Sequence, residues 1–182
     1  MFALAFYRIA SASVILCLVL GHAVAVGPTP VATPVPELQK LASSVGAWKT
    51  IQRFRSAPDA SAIESASTYN VRWSEDQQYL ISEQRGPTPT GWTSKILITS
   101  WNPTDKQIHV VEVSEGGTTT DLTLWFEGDL QKVLGHRRFG GRLVRTELTV
   151  EHTSPDEYKF HVDCLDSEKA WVCSEGVSQR VK

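Results

Sequence analysis

The chain has 182 residues, 41% of them hydrophobic and 21% charged, with a formal net charge of −2. This length suits one domain with a sizeable core, and the composition is that of a soluble globular protein rather than a disordered or low-complexity one. The slightly acidic balance argues against a nucleic-acid partner, which selects a basic face. Six Trp residues call for several large buried or cavity-lining anchors.

The N-terminus reads as an export signal. Arg8 precedes the apolar run Ser13–Leu20, and Ala23-Val24-Ala25 supplies small residues at the positions a signal peptidase reads, so cleavage is expected after Ala25. The run breaks at Gly21-His22 and is shorter than the roughly 20 residues a spanning helix needs. No stable membrane span is therefore expected once the signal is removed; an uncleaved anchor is the alternative. A lipoprotein site at Cys17 is disfavoured by Ile15-Leu16 before it. Pro28, Pro30, Pro34 and Pro36 then mark an extended tether. The expected organisation is a signal over 1–25, a tether over 26–36 and a folded domain over 37–182, exported to the periplasm or the extracellular space. Cys17 leaves with the signal. Cys164 and Cys173 remain, flanking a hairpin tip at Asp166-Ser167-Glu168-Lys169, and in an oxidising compartment they are expected to pair. So short a loop implies a modest gain, about 2–3 kcal/mol.

The folded domain opens with an amphipathic stretch, Pro36 to Leu41, expected to form a short helix. Period-two patterns follow almost to the end. The expected strands are Trp48 to Arg55, Ser67 to Ser74, Gln78 to Arg85, Trp92 to Trp101 and Gln107 to Ser114. Five more cover Thr118 to Phe126, Leu130 to Phe139, Arg142 to His152, Tyr158 to Cys164 and Ala170 to Val181. Turn residues separate them, among them Asn102-Pro103-Thr104-Asp105, Gly116-Gly117, Gly140-Gly141 and Ser154-Pro155-Asp156; the Pro- and Gly-rich stretch from Gly86 to Gly91 reads as a loop. About ten strands joined by tight turns make an antiparallel meander, which removes its edges by closing into an up-and-down barrel. A β-sandwich is the alternative, but its crossovers need longer connections.

From Leu38 to Arg180 the chain resembles a family of exported bacterial calycin-like proteins of unknown function. The resemblance rests on an ordered set of residues: Leu38-Gln39-Lys40-Leu41 leading into Val45-Gly46-Ala47-Trp48, Tyr79-Leu80, Trp101-Asn102-Pro103, Gly128-Asp129, Gly141 with Arg145, Ser154-Pro155-Asp156-Glu157-Tyr158, Trp171, and Glu175-Gly176 with Arg180. It implies an all-β lipocalin- or fatty-acid-binding-protein-like barrel with an internal cavity, and no particular ligand. In such barrels a Gly-x-Trp on the first strand plugs the closed end. Gly46, Trp48 and Arg180 are accordingly expected in a structural role, the guanidinium stacking on the indole for about 1 kcal/mol. The family often ends Glu-Gly-x-Tyr-x-Arg, and here Ser178 stands at the Tyr position. A related barrel family, the nitrobindins, holds haem through a His near the last strand; the last strand here has none.

Alternation assigns faces. In the eighth strand Val144, Thr146, Leu148 and Val150 share one face, and in the ninth Tyr158, Phe160, Val162 and Cys164 do. Polar residues in phase with apolar ones are candidate cavity groups, because burying them unsatisfied costs a few kcal/mol. Gln52 is in phase with Trp48 and Phe54, and Glu83 and Arg85 with Tyr79 and Ile81. If Cys164 pairs with Cys173, then Glu175 lies in phase with Trp171 and Val177. The expected ligand-binding set is thus Gln52, Tyr69, Trp73, Tyr79, Glu83, Trp92 and Glu175. His136-Arg137-Arg138 with Arg142 and Arg145 reads as a solvated basic hairpin, and His109, Glu112, His161 and Asp163 as surface groups. No nucleophile elbow, His-Glu-x-x-His or phosphate loop occurs, so no catalytic residue, metal or cofactor is expected. The expected function is binding of a small, mostly apolar or amphipathic molecule. The alternatives are an enzyme on the same barrel, haem-dependent or hydrolase-like, or a filled barrel serving as an envelope interaction module.

Overall fold

The computed structural model describes residues 33–88, 91–139, 142–166 and 169–182. The expected signal, the tether as far as Ala32, the Gly140-Gly141 turn and Ser167-Glu168 lie outside the described residues. Ten antiparallel strands form a closed barrel: β1 (Gly46–Phe54), β2 (Ile63–Trp73), β3 (Tyr79–Thr88), β4 (Gly91–Asn102), β5 (Gln107–Ser114), β6 (Thr119–Glu127), β7 (Leu130–Phe139), β8 (Arg142–Ser154), β9 (Glu157–Leu165) and β10 (Ala170–Arg180). The order around the wall is β1-β10-β9-β8-β7-β6-β5-β4-β3-β2, so every strand pairs with its sequence neighbours and β1 closes on β10. This is the up-and-down meander that the turn spacing predicts. β2 begins four residues earlier than expected, and β3 and β4 extend well into the Gly86–Gly91 stretch, with Pro87 paired to Trp92.

The amphipathic stretch folds as a 3-10 helix, Pro36–Ser44, starting on proline. Three residues per turn bring positions i and i+3 onto one side. Leu38 and Leu41 therefore point the same way, and both are buried in the barrel core.

Directly paired residues in an antiparallel ladder share a face, so the register carries the interior around the wall from one anchor. Trp48 is fully buried. It pairs with Tyr69, Tyr69 with Gln84, Gln84 with Lys95, and Lys95 with Ser114. The expected inner faces of β8 and β9 hold: Val144, Thr146, Val150, Val162 and Cys164 are all buried.

Two strands differ from expectation. On β3, Leu80 is buried and pairs with inward Trp73 and Thr99, which puts Leu80, Ser82 and Gln84 inside and Tyr79, Ile81, Glu83 and Arg85 outside. On β10 the register with β9 shifts between Val172 and Ser174. One extra residue reverses the alternation beyond it. Trp171 pairs with inward Cys164, then Ser174, Gly176 and Ser178 face inward and Glu175 and Val177 face out. The Cys164–Cys173 disulfide forms as expected, with a Cα–Cα distance of 5.7 Å. Its half-cystines are not direct ladder partners, however, because Cys173 sits at the shift.

Candidate functional site

One mouth of the barrel is sealed. Gly46 has φ +135°, a conformation open mainly to glycine, and a Cβ there would collide with Nη1 of Arg180. Arg180 donates from Nη1 to the Val45 carbonyl at 2.6 Å and from Nη2 to the Ser43 carbonyl at 2.7 Å. Its Nε lies 3.0 Å from Asp156 Oδ1, and its guanidinium carbon stands 4.4 Å from the centre of the Trp48 ring. Trp48 donates to the Ser44 carbonyl at 2.8 Å and stacks on Tyr69, 6.2 Å between ring centres and 5° between planes. Tyr158 packs against both rings. Burial pushes the Tyr158 pKa up to about 12, against an opposing hydrogen bond with Ser178. Ser178, at the position where the resembling family often has Tyr, is fully buried and hydrogen-bonded to Thr50 at 2.8 Å.

The other half of the lumen is polar. Lys95 on β4, Glu112 on β5 and Arg137 on β7 all sit on inward-facing positions: Lys95 pairs with Gln84, Glu112 with Leu97 and Thr120, and Arg137 with Val144. Glu112 is 5% exposed. Its carboxylate lies 3.4 Å from Lys95 Nζ and 3.0 Å from Arg137 Nη2, and it accepts from the Ser114 hydroxyl at 3.2 Å. Burial opposes its ionisation, but the Arg137 and Lys95 charges outweigh that and hold its pKa below the usual carboxylate range. The Lys95 pKa is lowered by burial first and by Arg137 second, in spite of Glu112. Further round the same lumen, Gln84 donates to Ser67 and Gln52 to Ser65, each at 3.1 Å.

The lumen is not packed solid. Inward residues well inside the barrel, including Leu97 on β4, Leu148 on β8 and Phe160 on β9, keep intermediate exposure although each has a buried inward neighbour on its strand, Thr99, Thr146 and Val162 respectively. Three inward side chains also carry a buried polar atom with no hydrogen-bond partner among the described residues: the Tyr69 hydroxyl, Arg137 Nε and Trp171 Nε1. Native interiors satisfy nearly all such atoms, so these are polar groups that the surrounding side chains leave unmet. Two open grooves lie elsewhere. One of about 460 Å³ runs between the 3-10 helix and the adjoining ends of β4, β5 and β6, with Lys40, Trp101 and Phe126 in its lining. The other, about 510 Å³, crosses the wall near Thr149, His161 and Glu175.

Of the expected binding residues, Gln52, Tyr69 and Trp73 face inward. Trp73 packs into the sealed-end core, as Tyr69 does. Tyr79, Glu83 and Glu175 are corrections. All three are on the outer wall, Glu83 3.6 Å from Arg72 and Glu175 3.9 Å from Arg53. The first two were misplaced because β3 is apolar on both faces, and Glu175 because of the register shift on β10. The side chain of Trp92 lies outside the described residues. Arg145 is exposed on the outer face. His109 is also on the outer wall, between Asp105 at 2.7 Å and Asp121 at 3.3 Å, and His161 faces outward beside Asp163.

Sequence reasoning missed Glu112, taken as a surface group, and Lys95 and Arg137. The signal was present. Glu112 is in phase with Ile108 and Val110, Lys95 with Leu97 and Trp101, and Arg137 with Val133. Among the described residues, no group of three or more His, Cys, Asp or Glu is placed to hold a metal ion, and no helix is long and apolar enough to cross a membrane.

A ten-stranded antiparallel barrel sealed at one mouth is a barrel of the calycin-like kind. No family model and no curated protein matches the chain. Solved structures do. Rv2717c from M. tuberculosis superposes with a TM-score of 0.61 at 13% identity, over 82% of this chain and 100% of that one. The S-type phycobiliprotein lyase CpeS from Guillardia theta superposes with a TM-score of 0.53 at 12% identity, over 82% and 99%. At such identities the likeness is one of fold.

Proposed function

We propose that this protein is exported and binds a small, mostly apolar molecule in the lumen of its barrel. The reading rests on one observation above others: inward Leu97, Leu148 and Phe160 remain partly exposed in a barrel whose opposite mouth is sealed. Incompletely buried apolar walls inside a closed barrel favour a guest, because covering them gains about 25 cal/mol per Å². The Cys164–Cys173 disulfide supports a non-reducing compartment, in keeping with the signal-like N-terminus. The phycobiliprotein lyase among the neighbours, at 12% identity, supports the fold alone. The test is native mass spectrometry of the purified protein, together with titration of its tryptophan fluorescence by a neutral amphiphile such as decanol. Saturable quenching with one guest per chain is expected. Absence of any saturable guest would sink the reading.

A second reading, an interaction module, is favoured by a specific patch on the outer wall. Ile81 pairs with Ile98, Ile98 with Val111, and Ile96 with Val113. Ile96, Ile98 and Val111 are exposed. A contiguous apolar surface of this kind is uncommon on a protein that acts alone. Light scattering on the wild type and on Ile98→Lys separates the two readings: association abolished by the substitution, with no guest in the lumen, would favour the module.

A further inference from the structure

We propose that the guest of the lumen is a monoanionic amphiphile, an apolar body ending in a carboxylate, and that Arg137 receives its head. The inference rests on the lumen-binding reading above and adds the chemical class of the ligand.

Among the described residues, the ionisable side chains within the open half of the lumen are Lys95, Arg137 and Glu112, two cations against one anion, while Arg142 and Asp166 at its rim lie 3.6 Å apart and offset each other. One positive charge is left over. Glu112 cannot absorb it, because its oxygens already take Lys95, Arg137 and the Ser114 hydroxyl. A surplus charge in a desolvated space is costly until it is paired. One more anion, and only one, would neutralise the set.

The hydrogen-bond inventory asks for the same thing. A guanidinium has five N–H donors in a planar fork. Arg137 commits Nη2 to Glu112, while its Nε is buried without a partner. The Trp171 indole can only donate, and its Nε1 is buried without a partner as well. Both vacancies want an acceptor. A carboxylate is acceptor-only when ionised and matches the arginine fork, and such charge-assisted bonds are the strong ones. An alcohol or amide head would satisfy a donor and leave the charge unpaired. A cationic head would add a third positive charge.

The walls supply the rest of the ligand. Leu97, Leu148 and Phe160 line the lumen and remain incompletely buried, the latter two in one cluster with Val144, Val162 and Trp171, and Leu97 against the sealed-end core. A bound anion would also offset the burial and the Arg137 charge that lower the Lys95 pKa.

The experiment compares decanoate, decanol and decyltrimethylammonium on the purified protein by tryptophan fluorescence and calorimetry. Decanoate should bind about tenfold tighter than decanol, the ratio set by a single charge-assisted hydrogen bond, and the cation should bind weakest. Arg137→Gln should bring decanoate down to the level of decanol while leaving decanol unchanged. Glu112→Gln should act in the opposite sense and tighten decanoate, since it frees both cations. If Arg137→Gln does not fold, as judged by circular dichroism, Arg137→Lys keeps the charge but loses the fork and should lower the decanoate preference part-way. Equal affinity for decanoate and decanol in the wild type, or a preference untouched by both Arg137 substitutions, would overturn the anionic class and leave the lumen reading standing. No saturable binding of any of the three probes would overturn both.

Discussion

The two halves of the barrel interior are built on opposite principles. At the sealed mouth, Leu38, Leu41, Trp48, Val71, Leu80, Ile108 and Leu124 form one buried cluster. The Trp48 indole N–H and the Arg180 guanidinium there are tied to backbone or a carboxylate, and the Tyr69 hydroxyl is the buried polar atom left without a partner at this end among the described residues. At the other mouth the interior holds Lys95, Glu112, Arg137, Gln84 and Gln52, and two N–H donors go without partners. Packing at the first end is the sort that stabilises. Incomplete satisfaction at the second is costly to the fold and is useful only if something enters. The contrast teaches that stability and recognition have been separated along the barrel axis.

That separation can be attacked in order of expected effect. Trp48→Ala removes the largest fully buried side chain of the sealed end and should cost about 3–5 kcal/mol in denaturant unfolding. A loss below that of any open-end substitution would reverse the assignment of the two halves. Removing the Cys164–Cys173 bond by a double Ala substitution should cost about 2–3 kcal/mol, seen as a lower thermal midpoint. Because the bond belongs to the smaller cluster with Val144 and Val162, it sharpens how much rigidity the recognition end retains. Gln84→Leu should change stability by less than about 1 kcal/mol, since it removes one partly buried bond to Ser67 and adds apolar surface to the lumen. A far larger loss would mean the polar end is structural after all.

The smallest effect lies on the outer wall and depends on pH. Hydrogen bonds donated by the His109 ring to the Asp105 and Asp121 carboxylates raise its pKa. A raised folded-state pKa means stabilisation that is complete below about 6.5 and is lost as pH rises through the higher folded value. The melting-temperature gap between wild type and His109→Asn should therefore be widest near pH 5 and close in mild alkali. A gap that widened with pH would contradict the geometry around His109 and say nothing against either end of the lumen.

Much of the wall is legible in the sequence. Turn residues at regular intervals predict ten strands, and strict alternation in β8 and β9 predicts their inner faces, because an inside-outside contrast is written directly in a period of two. β3 was not legible. Tyr79 and Ile81 look like a core face, yet the outside here carries Ile96, Ile98 and Val111, so apolar residues lie on both sides. The inner side at that level is the polar one, Ser82 and Gln84. β10 failed for another reason. One residue at Cys173 shifts the register, and a shift leaves no mark in composition.

The sequence by itself determined the all-β meander and the paired cysteines, because turn chemistry and period-two patterning are local properties; the Gly46-Trp48-Arg180 plug was expected from the family resemblance, since Arg180 meets Trp48 only once β1 closes on β10. Only the tertiary structure decided that Lys95, Glu112 and Arg137, on three different strands, face one another across the lumen. Charge pairing at 3 to 4 Å depends on register and closure around the whole barrel, and neither of those is a property of any single segment.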